Sequence, residues 1–86
     1  MNTVLYFTAD WCNPCKRTRP IVEELNREQS EVRFYIIDVD IEMEMAEDFQ
    51  VKSVPTFVVM NDNVEIHRET GAKTRDQLEQ LMNYAQ

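Results

Sequence analysis

The stretch Trp11-Cys12-Asn13-Pro14-Cys15-Lys16 holds both cysteines of the 86-residue chain, three positions apart. An apolar run, Val4-Leu5-Tyr6-Phe7, precedes it, and a helical pattern follows it. A strand that stops where a helix begins places Cys12 at the first turn of that helix. Free backbone N–H groups and the positive end of the helix dipole stabilise a thiolate there. Pro14 suits an early helical position, where its missing N–H is no loss. Lys16, Arg17 and Arg19 add positive charge nearby, which lowers a thiol pKa further. Cys15, one turn on, lies within reach of Cys12 for a disulfide, so the stretch reads as a reversible dithiol.

Two plainer readings compete. A structural disulfide across three positions removes little entropy from the unfolded chain, roughly 2 kcal/mol by the loop-closure relation. Staples normally join distant segments. A closed zinc site needs four ligands, whereas the chain offers two thiols and one remote histidine, His67. Metal binding would require two chains to share ligands, so no metal is expected.

The length fits one small domain over residues 1–86 with a modest core. With 43% hydrophobic residues, three prolines and one glycine, there is no disordered linker to assign. A formal charge of −7 argues against nucleic acid, whose binders present a basic face. No apolar run approaches the length of a membrane span, so no membrane role is expected. The N-terminus carries no basic segment or cleavage signal, and a cytoplasmic location is the default expectation. In that reducing setting a paired C-x-x-C is more often catalytic or metal-binding than structural.

Outward from the dithiol, Thr3 to Thr8 reads as a central strand, because its apolar residues are continuous rather than alternating. Ile21, Val22 and Leu25 recur at helical spacing from Asn13 to about Gln29, with Pro20 as an internal kink. Val32 to Asp38 reads as a second strand, parallel to the first through a right-handed crossover. Ile41 to Gln50 is acidic, a short helix with Met45, Ala46 and Phe49 as its buried side. Glu42, Glu44, Glu47 and Asp48 form its solvated side, and no loop spacing there suits calcium.

Thr56 to Met60 and Val64 to Glu69 form a hairpin around Asn61-Asp62-Asn63, residues that tolerate φ > 0. His67 falls in phase with Glu65 and Glu69 and is expected on an exposed strand face as a surface histidine. Gly71 reads as a point of close backbone approach or of unusual φ/ψ. Thr74-Arg75-Asp76-Gln77 is a capping-box pattern opening a last helix, whose apolar stripe is Leu78, Leu81, Met82 and Ala85. The order is β-α-β-α-β-β-α.

That order, with C-x-x-C at the first helix N-terminus, resembles the thioredoxin family. Ala9-Asp10-Trp11-Cys12-Asn13-Pro14-Cys15-Lys16 is close to the family's A-x-W-C-G-P-C-K. Pro20 matches the kink in the helix. Asp38-Val39-Asp40, followed by Val51-Lys52-Ser53-Val54-Pro55-Thr56, is similar to the segment before the family's cis-proline, and Gly71 precedes the last helix as it does in the family. The resemblance implies an α/β, minimal thioredoxin-like fold, a four-stranded mixed sheet flanked by three helices. It implies that Cys12 is the attacking thiolate and Cys15 the resolving thiol. Trp11, Asn13, Pro14, Val54 and the cis-proline Pro55 would contact substrate, with Lys16, Tyr6 and Gly71 in support.

The implied activity is protein-disulfide reduction by a general electron donor with no cofactor beyond the Cys12–Cys15 disulfide. The implied partners are disulfide-containing proteins and a thioredoxin reductase or glutathione system that recharges the dithiol. A monomer is expected. The alternatives are a glutaredoxin-like, glutathione-dependent oxidoreductase and a non-enzymatic accessory subunit of the same fold. Asn61-Asp62-Asn63 does not supply the Gly-Gly and charged pair that glutaredoxins use for glutathione.

The chain departs from the family pattern in three ways. It lacks the strand and helix that open full-length thioredoxins, which makes Val32–Asp38 an exposed sheet edge that Arg33 could blunt. Asn13 stands where the family has glycine, and residues between the cysteines tune the potential. Tyr6 and Ile36 replace the family's buried aspartate and its accompanying lysine. Losing both members together is coherent, because one buried charge left alone is costly. Tyr6 is then either a core aromatic or a hydroxyl offered to the site.

Overall fold

The computed structural model describes residues 2–28 and 31–86. Its elements are β1 (Asn2–Thr8), α1 (Asn13–Arg27), β2 (Arg33–Asp38), α2 (Met43–Asp48), β3 (Thr56–Asn61), β4 (Val64–Thr70) and α3 (Arg75–Ala85). The sheet order is β2-β1-β3-β4. β1 runs parallel to β2 and antiparallel to β3, and β3 is antiparallel to β4. The expected four-stranded mixed sheet with three helices is the observed one. The first helix was expected to reach about Gln29, a position outside the described residues.

The continuous apolar run of β1 has a simple cause: the strand is covered on both faces. Val4 and Tyr6 pack with Val22, Leu25, Phe57, Leu78 and Leu81 under α1 and α3. Leu5 and Phe7 pack with Ile37 and Val58 on the other face, where Met45, Ala46 and Phe49 of the α2 segment lean against them. Successive residues of a strand point to opposite faces, so one strand serves two apolar layers.

Strand β2 is an edge, as expected. The β3–β4 turn places Asp62 at φ 52° and Asn63 at φ 71°, the left-handed pair that a two-residue hairpin requires. Thr74 caps α3 with the expected reciprocal box: its side chain accepts from the Gln77 N–H, and the Gln77 side chain accepts from the Thr74 N–H.

Strand β4 departs from the simple alternation expected of it. Val59 pairs with His67 but Met60 pairs with Glu65, so Ile66 is an extra, bulged residue. Val59 belongs to the layer under α1 and α3, and Met60 to the layer beside α2. Glu65 and His67 therefore lie on opposite faces rather than in phase. His67 is half-buried, stacked on Tyr84 of α3 at 4.1 Å between ring centroids, with Nε2 2.7 Å from Glu69 Oε2.

Candidate active site

The junction of β1 and α1 builds the site. Cys12 is the N-cap of α1, with extended backbone (φ −88°, ψ 110°), and Pro14 sits in the first turn. The Cys12 N–H donates to the Ala9 carbonyl (3.2 Å), and the Cys12 carbonyl accepts the first helical bond from Lys16 N–H (3.2 Å). Cys12 and Cys15 are joined as a disulfide, with Cα atoms 5.2 Å apart. A cap side chain normally accepts from an orphan amide in the first turn. Here the cap atom is sulfur: Cys12 Sγ accepts from the Cys15 N–H at 3.2 Å. Both cysteines are buried, among Ala9, Val39 and Val54.

The loop before β3 closes over the sulfur. The Val54–Pro55 peptide bond is cis, and the Val54 carbonyl oxygen lies 3.6 Å from Cys12 Sγ. Pro55 is buried and Val54 half-buried. The Pro55 carbonyl accepts from the Gly71 N–H (2.9 Å), which ties the end of β4 to the same loop. Gly71 has φ +95°, and a Cβ built there meets nothing within 4 Å. Of its two expected roles, unusual backbone conformation is the one observed.

Around this pocket, Trp11 is 66% exposed. Its indole Nε1–H donates to Asp40 Oδ2 at 2.8 Å. Asp40 is held in turn by its own N–H, which donates to Asp38 Oδ1 (2.8 Å). Asn13 and Lys16 are exposed and Pro14 half-buried. The predicted residues thus converge on one surface, with Tyr6 beneath it.

Tyr6 is fully buried and stacked on Phe57 at 4.9 Å. Its hydroxyl donates to the Cys15 carbonyl at 3.1 Å. Burial pushes its pKa above the ordinary value, outweighing the opposite pull of Thr8 and Arg19. Ile36 stands directly beside it in the β1–β2 register. The two residues that replace the family's charged pair are neighbours in one apolar layer.

Two supporting residues were not singled out in the sequence. Thr18 is buried. Its hydroxyl donates to the Pro14 carbonyl (3.2 Å) and accepts from the Lys73 N–H (3.3 Å), linking the first turn of α1 to the segment after Gly71. Only its position four residues after Pro14 hints at the first of those bonds. Asp40 belongs to the Asp-Val-Asp segment, and nothing in the sequence marks it as the partner of Trp11. Among the described residues no cluster of three or more His, Cys, Asp or Glu side chains could hold a metal ion. No helix among them is long and apolar enough to cross a membrane.

Comparison with known proteins agrees with this geometry. The thioredoxin family model matches residues 1–84. An H-type thioredoxin of Fagopyrum esculentum is 35% identical over 82 residues, covering 95% of this chain and 71% of that protein. A Bacillus subtilis thioredoxin is 37% identical over 78 residues, covering 90% of this chain and 75% of its own length. Among solved structures, Fasciola hepatica thioredoxin superposes with a TM-score of 0.89 at 36% identity, covering 99% of this chain and 81% of the other. The chain therefore belongs to the thioredoxin family of thiol–disulfide oxidoreductases.

Proposed function

We propose that Cys12 is the attacking thiolate of a protein-disulfide reductase and Cys15 its resolving thiol, acting within one domain. The asymmetry between the two sulfurs supports the assignment. Cys12 Sγ, at the helix cap, accepts an amide hydrogen bond from Cys15, which favours a thiolate at Cys12.

In the reduced chain the Cys12 thiolate attacks one sulfur of a substrate disulfide. A Cys12–substrate bond forms, the substrate S–S bond breaks, and the other substrate sulfur leaves as a thiolate that takes a proton. Cys15 then gives up its proton and attacks Cys12 Sγ, expelling the second substrate thiolate. Substrate gains two electrons, and the chain is left with the Cys12–Cys15 disulfide.

Trp11, Asn13, Pro14 and Val54 provide the docking surface in this reading, with Pro55 holding the Val54 backbone beside the sulfur. An extended substrate segment can pair with the Val54 backbone as an added strand. Lys16 adds positive charge near the thiolate, and Tyr6 and Gly71 hold the site from below and behind. The substrates are disulfide-containing proteins of the cytoplasm. A thioredoxin reductase restores the dithiol, no organic cofactor or metal takes part, and the working unit is a monomer.

The test is equilibration against glutathione buffers with trapping of the free thiols. A potential near the roughly −270 mV typical of thioredoxin fits a reductant served by a reductase. A potential of about −200 mV or above would transfer the electron source to glutathione. Absence of a reversible couple would remove the reductase reading.

A further inference from the structure

Strand β2 is one of the two edge strands of the sheet, yet its backbone is not open along its whole length. Asn26, projecting from α1, accepts from the Phe34 N–H through Oδ1 (3.0 Å) and donates through Nδ2 to the Phe34 carbonyl (2.9 Å). An amide that satisfies both groups of one residue reproduces the pairing that a neighbouring strand would make. Phe34 therefore faces outward from the sheet at this edge. Backbone groups alternate sides along a strand, so Ile36 is the next residue to face outward.

These two positions define how another strand can add. In the antiparallel register with Tyr35 on a two-fold axis, Phe34 pairs with the partner's Ile36 and Ile36 with the partner's Phe34. The two central hydrogen-bonded pairs both use Phe34, and Asn26 occupies it in each copy.

The surface beside the edge matches a second copy. Tyr35 is exposed and opens onto a groove of about 670 Å³ lined by Leu5, Ile37, Met45, Phe49 and Met60. Arg33, Tyr35 and Ile37 share that face by alternation. In the register above, Arg33 lies opposite the partner's Ile37, and Glu42, whose N–H donates to the carbonyl of the next residue, Asp38, lines the groove near that end of β2. Each copy thus brings a cation to the other's carboxylate, twice over by symmetry.

We propose that Asn26 guards the β2 edge, and that without this one side chain the edge with its groove would pair with a second copy of the chain. Arg33, the residue expected to blunt the edge, is exposed, and the side chain bonded to the edge backbone at Phe34 is that of Asn26. Edge protection is a general need of open sheets, since an unpaired strand is a template for another chain.

The experiment compares the natural chain with Asn26→Ala by sedimentation from micromolar to millimolar concentration, with amide exchange read at Phe34 and Ile36. Circular dichroism establishes that each variant is folded. Should Asn26→Ala not fold, Asn26→Ser is taken through the same series.

The natural chain is expected to stay a single chain throughout, with the Phe34 amide protected. The folded variant is expected to approach a twofold rise in mass with concentration. Its Phe34 amide should exchange at least about tenfold faster when dilute and regain protection as the dimer forms. Adding Tyr35→Lys, which sets two like charges on the axis, should return the variant to a single chain. A folded variant that stays monomeric at millimolar concentration overturns the proposal. So does a dimer that leaves Phe34 unprotected or survives Tyr35→Lys, and so does a natural chain that already dimerises.

Discussion

The hydroxyl of Tyr6 donates to the carbonyl oxygen of Cys15 over 3.1 Å, so the layer beneath the disulfide is tied to the backbone of Cys15 rather than to its sulfur. The two readings of Tyr6 meet in this contact. The ring is a core aromatic, stacked on Phe57, and the hydroxyl serves the site by fixing the first turn of α1. Burial favours the neutral phenol, which makes Tyr6 a fixed donor and a poor carrier of protons. In the proposed reaction the proton of Cys15 would then go to water or to the departing substrate thiolate.

Tyr6→Phe is expected to cost about 1 kcal/mol of stability, the usual net worth of one such bond. It should leave the pH–rate profile of disulfide reduction unchanged in shape between mildly acidic and neutral pH. Tyr6 also shapes the alkaline limb. Its folded pKa is raised, so its contribution is complete below the ordinary tyrosine value near 10 and is lost as pH rises through the folded value. Urea midpoints of the variant should fall less steeply over that range. A changed rate profile would instead make Tyr6 a proton relay.

Gly71→Ala should lose roughly 1–2 kcal/mol, because φ +95° is unfavourable for any residue with a Cβ. The added methyl meets no neighbour, so the loss is one of backbone conformation alone and should not grow with side-chain size from alanine to serine. Thermal unfolding of the two variants measures this. A much larger loss for serine would reveal a steric obstruction.

The acid limb of stability rests on surface carboxylates. Arg75 bonds Glu28 and Glu24 of the α1 segment and Glu79 of its own helix, joining α1 to α3. Bonding to Arg75 holds Glu28 below its ordinary value, as Arg68 does for Glu65. For Glu69 the larger cause is His67, followed by Lys73. A depressed folded pKa means stability that is present above the ordinary value near 4.5 and lost as pH falls through the folded one. Arg75→Ala should flatten that limb at low ionic strength. Because the cluster is exposed, the difference from the natural chain should shrink toward zero at about 1 M salt.

The sequence showed most of the fold because local signals and global packing agree. The unbroken apolar run at Val4–Phe7 marks a doubly covered strand. The cysteine pair with Pro14 marks a helix start, and Thr74 with Gln77 marks another. What stayed hidden depends on distant partners. Nothing near Asn26 indicates that its amide meets Phe34, and nothing near Thr18 indicates that Lys73 approaches it. The phase of β4 is not legible in the sequence because a bulge changes the pleat without any glycine or proline to announce it, and Ile66 looks like an ordinary strand residue. The convergence of Val54, Pro55 and Gly71 on the dithiol came from the resemblance and not from periodicity.

The most direct test of the division of labour between the two sulfurs is a trapping measurement with single-cysteine variants. Cys15→Ser and Cys12→Ser, each reduced, are presented with a protein disulfide at neutral pH, and the covalent adduct is quantified by mass. The account predicts that Cys15→Ser accumulates a mixed disulfide on Cys12, and that Cys12→Ser reacts at least about tenfold more slowly, because it is Cys12 Sγ that accepts the amide bond at the helix cap. Equal rates, or faster trapping on Cys15, would contradict it.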